Sequence, residues 1–174
     1  MSTFNPDLNA RLIPGVSAAG FKLGESISDV AKKIGRVDWH ESDSYVDNTL
    51  AHNNSWVGLR LRCGAAVGMN EVILSYVYQN ETVSLYFEKS ETLYRIAVGN
   101  GYTGDFKSLT PGDILAPPRG GFEILFNDMD DDFLLIKNKQ IVQGISFITN
   151  YRASLDLAPE QVIKFISIHD WTLM

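Results

Sequence analysis

Alternation of apolar and polar side chains with a period of two dominates the chain between residues 56 and 98. Four segments carry this pattern or are rich in β-branched and aromatic residues: 56–62, 71–78, 83–87 and 93–98. Successive side chains of a β-strand point to opposite faces, so the pattern predicts half-buried strands. Tight turns between the segments predict antiparallel pairing of neighbours, as a meander of about four strands.

The second half of the chain continues in the same way. Residues 122–126 and 133–136 predict a hairpin, and residues 140–149 predict a further strand. Near the end of the chain, the spacing of the apolar residues does not distinguish a helix from a strand. We expect a helical turn at 159–162 that passes into a final strand near 166–171.

One short helix is predicted before the strands. Ser26 has the side chain of an N-cap, Asp29 follows three residues later, and Gly35 stops the apolar pattern, which together predict a helix over 26–34. Residues 40–54 are polar and acidic, and this composition predicts a long loop or a ragged hairpin.

The two halves follow a similar plan. Residues 20–26 (GFKLGES) resemble 106–113 (FKSLTPGD), and each stretch precedes an acidic loop and then strands. The second stretch predicts one helical turn at most, because Pro117 follows it closely. We interpret 15–98 and 99–174 as pseudo-repeated helix-plus-sheet halves, with chance similarity as the alternative.

Size and charge narrow the class of protein. A chain of 174 residues fits one domain, here α+β with a mostly antiparallel sheet and short helices. The formal net charge of −6 disfavours nucleic acid or an anionic membrane as partner, and favours solubility or a basic protein partner. Cys63 is the one cysteine, so an internal disulfide is excluded. With neither a signal peptide nor a membrane helix in the sequence, we expect a cytoplasmic protein.

Motifs for catalysis or cofactor binding are weak. The spacing of His40, His52 and His169 fits no metal motif, and their polar surroundings predict surface histidines. Cys63 has no base in its local sequence, which predicts a half-buried structural thiol. Residues 99–104 match the G-x-G-x-x-G spacing, but prolines follow where the nucleotide fold needs a helix. We therefore expect no cofactor and no enzyme, and keep an unrecognised hydrolase as an alternative.

Acidic loops are the best candidates for a binding surface. The candidate partner-binding residues are two acidic clusters and one adjacent aromatic residue: Glu41, Asp43, Asp47, Asp128, Asp130, Asp131, Asp132 and Phe133. If the halves are pseudo-repeats, both clusters occupy matching places and form one negative face that attracts a basic partner. The alternatives are solvated loops with core aromatics, or a weak cation site at 128–132, although that run lacks the glycine and glutamate of an EF-hand.

Short stretches of the chain resemble small bacterial immunity proteins of contact-dependent growth inhibition and other polymorphic toxin systems. The resemblance rests on residues 15–24 (GVSAAGFKLG), 27–30 (ISDV), 101–104 (GYTG) and 144–147 (GISF), together with the acidic hairpin. Openings of this kind also occur in small envelope proteins with tandem helix-plus-sheet repeats. The segment after Pro111 departs from the pattern.

The resemblance implies a cytoplasmic protein that binds the C-terminal domain of a cognate toxin and blocks its active site or an essential surface. Many such toxins are nucleases with basic grooves, and an acidic loop could take the place of phosphate there. The resemblance supplies no catalytic residues. The leading alternative is a small-molecule-binding regulatory module without catalysis.

Overall fold

The structure, a computed structural model, describes residues 4–41, 46–63 and 71–174. Strands hold 44% of the residues and helices 10%, so the expected α+β class with short helices is confirmed. No helix in these ranges has the length and apolar character needed to cross a membrane.

The secondary structure of the described residues consists of short helices and eleven strands. The helices are α1 (Ile27–Ile34), α2 (Val46–His52) and a final 3-10 turn (Trp171–Leu173). The strands are β1 (Ser17–Ala18), β2 (Phe21–Lys22), β3 (Trp39–Glu41), β4 (Trp56–Cys63), β5 (Glu71–Tyr78), β6 (Val83–Phe87), β7 (Leu93–Val98), β8 (Phe122–Asn127), β9 (Asp132–Lys137), β10 (Gln140–Thr149) and β11 (Ile163–His169).

Nine of these strands form one sheet in the order β3-β4-β5-β6-β7-β11-β10-β9-β8. Only β3 and β4 are parallel; the other neighbours are antiparallel. The predicted meander is β4 to β7, and β8 to β11 form a second meander. The two meet where β7 pairs with β11, with Ala97 opposite Ser167. Descent of the two halves from one repeat stays a prediction.

The main core lies on one face of this sheet. Val83, Leu85 and Phe87 of β6 point into it, as the alternating pattern predicts. Strands β1 and β2, helix α1 and the connection 102–115 cover this face. The Tyr102 hydroxyl links this connection to the N-terminal segment, because it donates a hydrogen bond to the Ala10 carbonyl at 2.6 Å. Burial raises the pKa of Tyr102 to about 12, so this donor keeps its proton.

Helix α1 is built as its sequence predicts. The Ser26 hydroxyl accepts a hydrogen bond from the Asp29 amide at 3.2 Å and so caps the first turn. Gly35 ends the helix at a φ of 86°, and its amide donates to the Ala31 carbonyl at 2.8 Å. Val30 is buried against the sheet.

The predicted loop at 40–54 is wrong, since β3 extends into it and α2 lies within it. Helix α2 packs Leu50 against Val57 on the face of the sheet opposite the main core. Strand β3 places the Trp39 ring directly over Gly58, where a Cβ would lie 2.4 Å from Trp39 Cδ2. Both elements depend on contacts with β4 that lie outside their own sequence.

The expected helical turn at 159–162 is also wrong. Residues 159–161 form no helix, and Gln161 is held by two hydrogen bonds: its carbonyl accepts from the Leu115 amide at 2.7 Å, and its side-chain amide donates to the Ala158 carbonyl at 2.9 Å. Strand β11 therefore starts at Ile163, earlier than predicted. The segment after Thr110 makes only a single turn, the most that was expected there.

Candidate functional site

The sheet face opposite the main core carries an open groove where the two meanders meet. We call this the seam groove; its volume is about 620 Å³. It is lined by Glu81, Tyr86, Arg95, Ala97, Asp130, Asp131, Asp132, Ser146, Ile148, Arg152, Phe165, Ser167, Trp171 and Met174.

Small side chains make the floor of the seam groove. The register aligns Ala97 with Ser167, and Ser167 with Ser146, across three neighbouring strands. Each of these residues is almost completely buried. Because none has a long side chain, the centre of this face is a depression between larger neighbours.

Arg95 forms one wall of the seam groove. Its Nε donates to the Ser167 hydroxyl at 2.9 Å, and its guanidinium carbon lies 5.0 Å from the centre of the Tyr86 ring. These two contacts hold the planar group against the sheet. Burial raises the pKa of Tyr86, and the charge of Arg95 opposes this.

His169 lies next to Arg95 on the neighbouring strand. The prediction of a surface histidine is wrong here, since His169 is only 7% exposed. Its ring stacks on Trp171 with 4.3 Å between ring centres, and its Nδ1 lies 3.4 Å from the Ser167 hydroxyl. Burial, helped by the charge of Arg95, lowers the pKa of His169 to about 4, while Asp132 opposes the shift. The ring is therefore neutral at pH 7.

The tip of the β8–β9 hairpin forms the opposite rim. Asp130 and Asp131 are exposed there, and both line the seam groove. The Asn127 side-chain amide donates to Asp130 and to Asp132, at 3.0 Å each, which fixes the shape of the tip. Asp132 is itself buried, with 8% exposed.

Two other predicted residues of this hairpin lie elsewhere. Asp128 is exposed but lines a separate depression beside Phe126 and Leu155. Phe133 belongs to the main core and is 1% exposed, so a partner cannot reach its ring. Phe133 is a core residue because it points to the same face of β9 as Leu135.

Glu41, from the first acidic cluster, lies far from the second acidic cluster on the β8–β9 hairpin. Glu41 is on β3, at the sheet edge opposite to β8, and lies 3.6 Å from Arg60 and 3.4 Å from Arg62 in ion pairs. Eight strand spacings of about 4.8 Å separate the two edges along the sheet. The prediction of one negative face is therefore wrong for Glu41. Asp43 lies outside the described residues, and so does the side chain of Asp47.

The remaining candidate residues are His40, His52 and Cys63. His40 is half-buried on β3 and His52 is exposed at the end of α2. The side chain of Cys63 lies outside the described part of the chain. Within that part, no three His, Cys, Asp or Glu side chains are grouped as metal ligands.

Sequence reasoning missed Arg95, Ser167 and Trp171, and placed His169 wrongly on the surface. A signal was present in the strands themselves, because small or polar residues alternate with apolar ones in residues 95–97 and 166–169. Alternation alone indicates a solvent-facing side. Only the pairing of β7 with β11 shows that Arg95 and Ser167 share one groove.

The described residues therefore form an α+β domain with a nine-stranded, mostly antiparallel sheet, and a charged groove lies on the face opposite the main core. No family model, curated protein or solved structure matches the chain.

Proposed function

We propose that this chain is an immunity protein that binds and neutralises a toxin domain, and that the seam groove is its binding surface. The observation that carries the proposal is the exposed acidic rim of Asp130 and Asp131 beside an open groove of about 620 Å³. The resemblance of residues 15–24 and 144–147 to immunity proteins supports the same class.

The groove has the chemistry expected of a surface that receives a basic loop. Carboxylates attract a basic partner during encounter and form charge-assisted hydrogen bonds with its lysine or arginine side chains. Trp171 lies at the rim with 50% of its surface exposed, and a half-exposed indole is a typical anchor of protein interfaces. In a nuclease toxin, the two aspartates would occupy the basic groove that otherwise binds the phosphates of the substrate.

The test is binding and rescue with the C-terminal domain of whatever protein is encoded directly upstream of this chain, where the proposal expects the toxin. We expect a tight complex and survival of cells that express the toxin domain. The double variant Asp130→Lys, Asp131→Lys should weaken the complex at least 30-fold, or about 2 kcal/mol, because like charges then face the basic loop. Asp132 is left unchanged because it is buried.

The matched control reverses two exposed carboxylates outside the groove, Glu123→Lys and Glu160→Lys. This control changes the net charge by the same amount, so it should retain affinity and rescue. Equal loss in both double variants would show that net charge alone matters, and unchanged affinity in the first would remove the groove from the interface. A wild-type chain that neither binds nor rescues would contradict the immunity function itself.

The proposal assigns the protein to the cytoplasm, where an incoming toxin domain would act. The single cysteine, Cys63, agrees with a reducing compartment, because no internal disulfide can form. Cell fractionation tests this, and recovery of the chain outside the cytoplasm would contradict it.

A second candidate function is binding of a small molecule. The volume of the seam groove, about 620 Å³, lies within the range of ordinary ligand sites, about 300–1,000 Å³. Three of its lining residues, Ala97, Ser146 and Ser167, leave the floor free of long side chains.

A further inference from the structure

Strand β8 lies at one edge of the nine-stranded sheet, and β9 is its one neighbour among the described strands. Residues of an antiparallel strand direct their amide and carbonyl groups alternately to its two sides, so every second residue of β8 presents both groups to the free side. In the described part of the chain, no backbone hydrogen bond other than those to β9 uses residues 122–127. The free side of β8 is therefore an open row of donors and acceptors.

The sequence of β8 gives this edge little protection against pairing. Its six residues, FEILFN, include neither lysine nor proline, and the pairing with β9 continues without a bulge. Leu125 exposes 45% of its surface. The opposite edge of the sheet differs, because β3 has only three residues and Glu41 forms ion pairs there. Natural proteins protect the edges that must stay unpaired, so β8 has the features of an edge that accepts another strand.

A depression of about 570 Å³ runs along this free edge. Ile124 and Leu125 both line it, although neighbouring residues of a strand point to opposite faces, and this places the depression beside the edge of β8. Leu155 adds a further apolar wall. The charged residues of the lining are two exposed aspartates, Asp128 and Asp156.

The charges around the depression select its occupant. Asp128, Asp156 and Glu123 are all exposed, and no ion pair between described residues uses them. Pairing of two β8 strands about a two-fold axis would bring Glu123 of each copy close to Asp128 of the other, where like charges repel. A strand with basic side chains meets the same carboxylates with the opposite charge. The edge therefore fits a basic strand better than a second copy of this chain.

We propose that β8 binds an extended segment of another protein in which basic and apolar side chains alternate. The segment continues the sheet through backbone hydrogen bonds to the free side of β8. Its apolar side chains contact Ile124 and Leu155 in the depression, and its basic side chains are attracted by Glu123, Asp128 and Asp156. This surface shares no lining residue with the seam groove, and its use does not depend on toxin binding.

The experiment uses the full chain and a labelled heptapeptide of alternating lysine and valine with blocked ends. We expect saturable binding that is at least about tenfold tighter than that of the same peptide with glutamate in place of lysine. In NMR spectra, the amide signals of Ile124, Leu125 and Phe126 should shift. Every second amide of β8 should also become protected from hydrogen exchange, because only those amides face the added strand.

Methyl groups on the amide nitrogens of the peptide test the backbone pairing. In an extended peptide of this sequence, the valine amides point to one side and the lysine amides point to the other. Methylation of one set should therefore lower the affinity at least about tenfold, whereas methylation of the other set should leave it close to that of the parent peptide.

Variants of the chain test the role of the carboxylates. Asp128→Lys with Asp156→Lys should weaken binding of the lysine peptide at least about tenfold. The matched control, Asp38→Lys with Glu91→Lys, makes the same change of net charge at exposed carboxylates that lie near β3 and β7, and it should retain the affinity of the wild-type chain.

Three outcomes would overturn the proposal. One is the absence of saturable shifts in β8, and another is unchanged affinity of both methylated peptides. The third is a dimer of the free chain in sedimentation with β8 protected from exchange, which would make a second copy the occupant. The peptide comparisons use the wild-type chain, so they stand even if a variant fails to fold. Because no toxin domain is present, failure here and failure of the toxin experiment are independent of each other.

Discussion

Acid should destabilise this protein through His169. The buried ring has a pKa of about 4, held down by its burial and by Arg95, whereas an ordinary histidine titrates near 6.5. The unfolded chain therefore takes up a proton in a pH range in which the folded chain does not. The free energy of unfolding should be highest above about pH 6.5, and should fall as the pH is lowered towards about 4.

The size of this effect follows from the difference between the two pKa values. A difference of this size corresponds to about 3 kcal/mol at most, at about 1.4 kcal/mol for each pH unit. A small cavity lies beside His169, Asp132 and Trp171, so water can screen part of the free-energy cost of protonating the buried ring. We expect a loss of about 1–2 kcal/mol between about pH 7.5 and about pH 4.5.

The assay is urea unfolding at several pH values for the wild-type chain and for His169→Gln. The glutamine variant lacks the titrating ring, so its stability should fall by about 1–2 kcal/mol less over the same pH range. His52→Gln is the matched control, because it makes the same replacement at an exposed histidine. Parallel pH profiles for the wild-type chain and His169→Gln would refute the assignment of a buried, neutral His169.

Further predictions concern the stability of four variants and are tested by urea or thermal unfolding. Gly144→Ala should cost about 2–4 kcal/mol, because Gly144 has a φ of 80° and a Cβ there would lie 2.2 Å from the Gly15 amide nitrogen. Gly112→Ala, at a φ of 99° with no atom within 4 Å, should cost only about 1–2 kcal/mol; equal costs would contradict the close approach. Ser26→Ala should cost about 1 kcal/mol through loss of the helix cap, and no change would argue against that cap. Ser75→Ala should be neutral or stabilising by up to about 1 kcal/mol, because the buried Ser75 hydroxyl has no hydrogen-bond partner among described residues; a clear loss would indicate one.

Much of the sheet could be predicted because its strands have local signals. Strands β5, β6, β7 and β10 begin and end where alternation and turns place them. Helix α2 and strand β3 could not be predicted, since polar sequences of this kind are ordered here by contacts with β4. The start of β11 was missed because two of the residues that hold Gln161 by hydrogen bonds, Leu115 and Thr149, are distant in the sequence.

The candidate site was predicted only in part. Asp130 and Asp131 are visible in the sequence as an acidic hairpin tip, and they do line the seam groove. Arg95 and His169 are 74 positions apart in the chain but adjacent in the sheet, because β7 pairs with β11. No local pattern predicts a pairing of that sequence distance. Phe133 was misassigned because an aromatic residue beside an acidic turn suits an interface and a core equally well.

The binding of a toxin domain at the seam groove can be seen in a crystal structure of the complex with the domain encoded upstream. We expect Asp131 and Trp171 to be buried in this complex, and a basic side chain of the bound domain to lie within hydrogen-bond distance of Asp130 or Asp131. A complex formed at the β3 edge around Glu41, with the groove still open to solvent, would contradict this expectation.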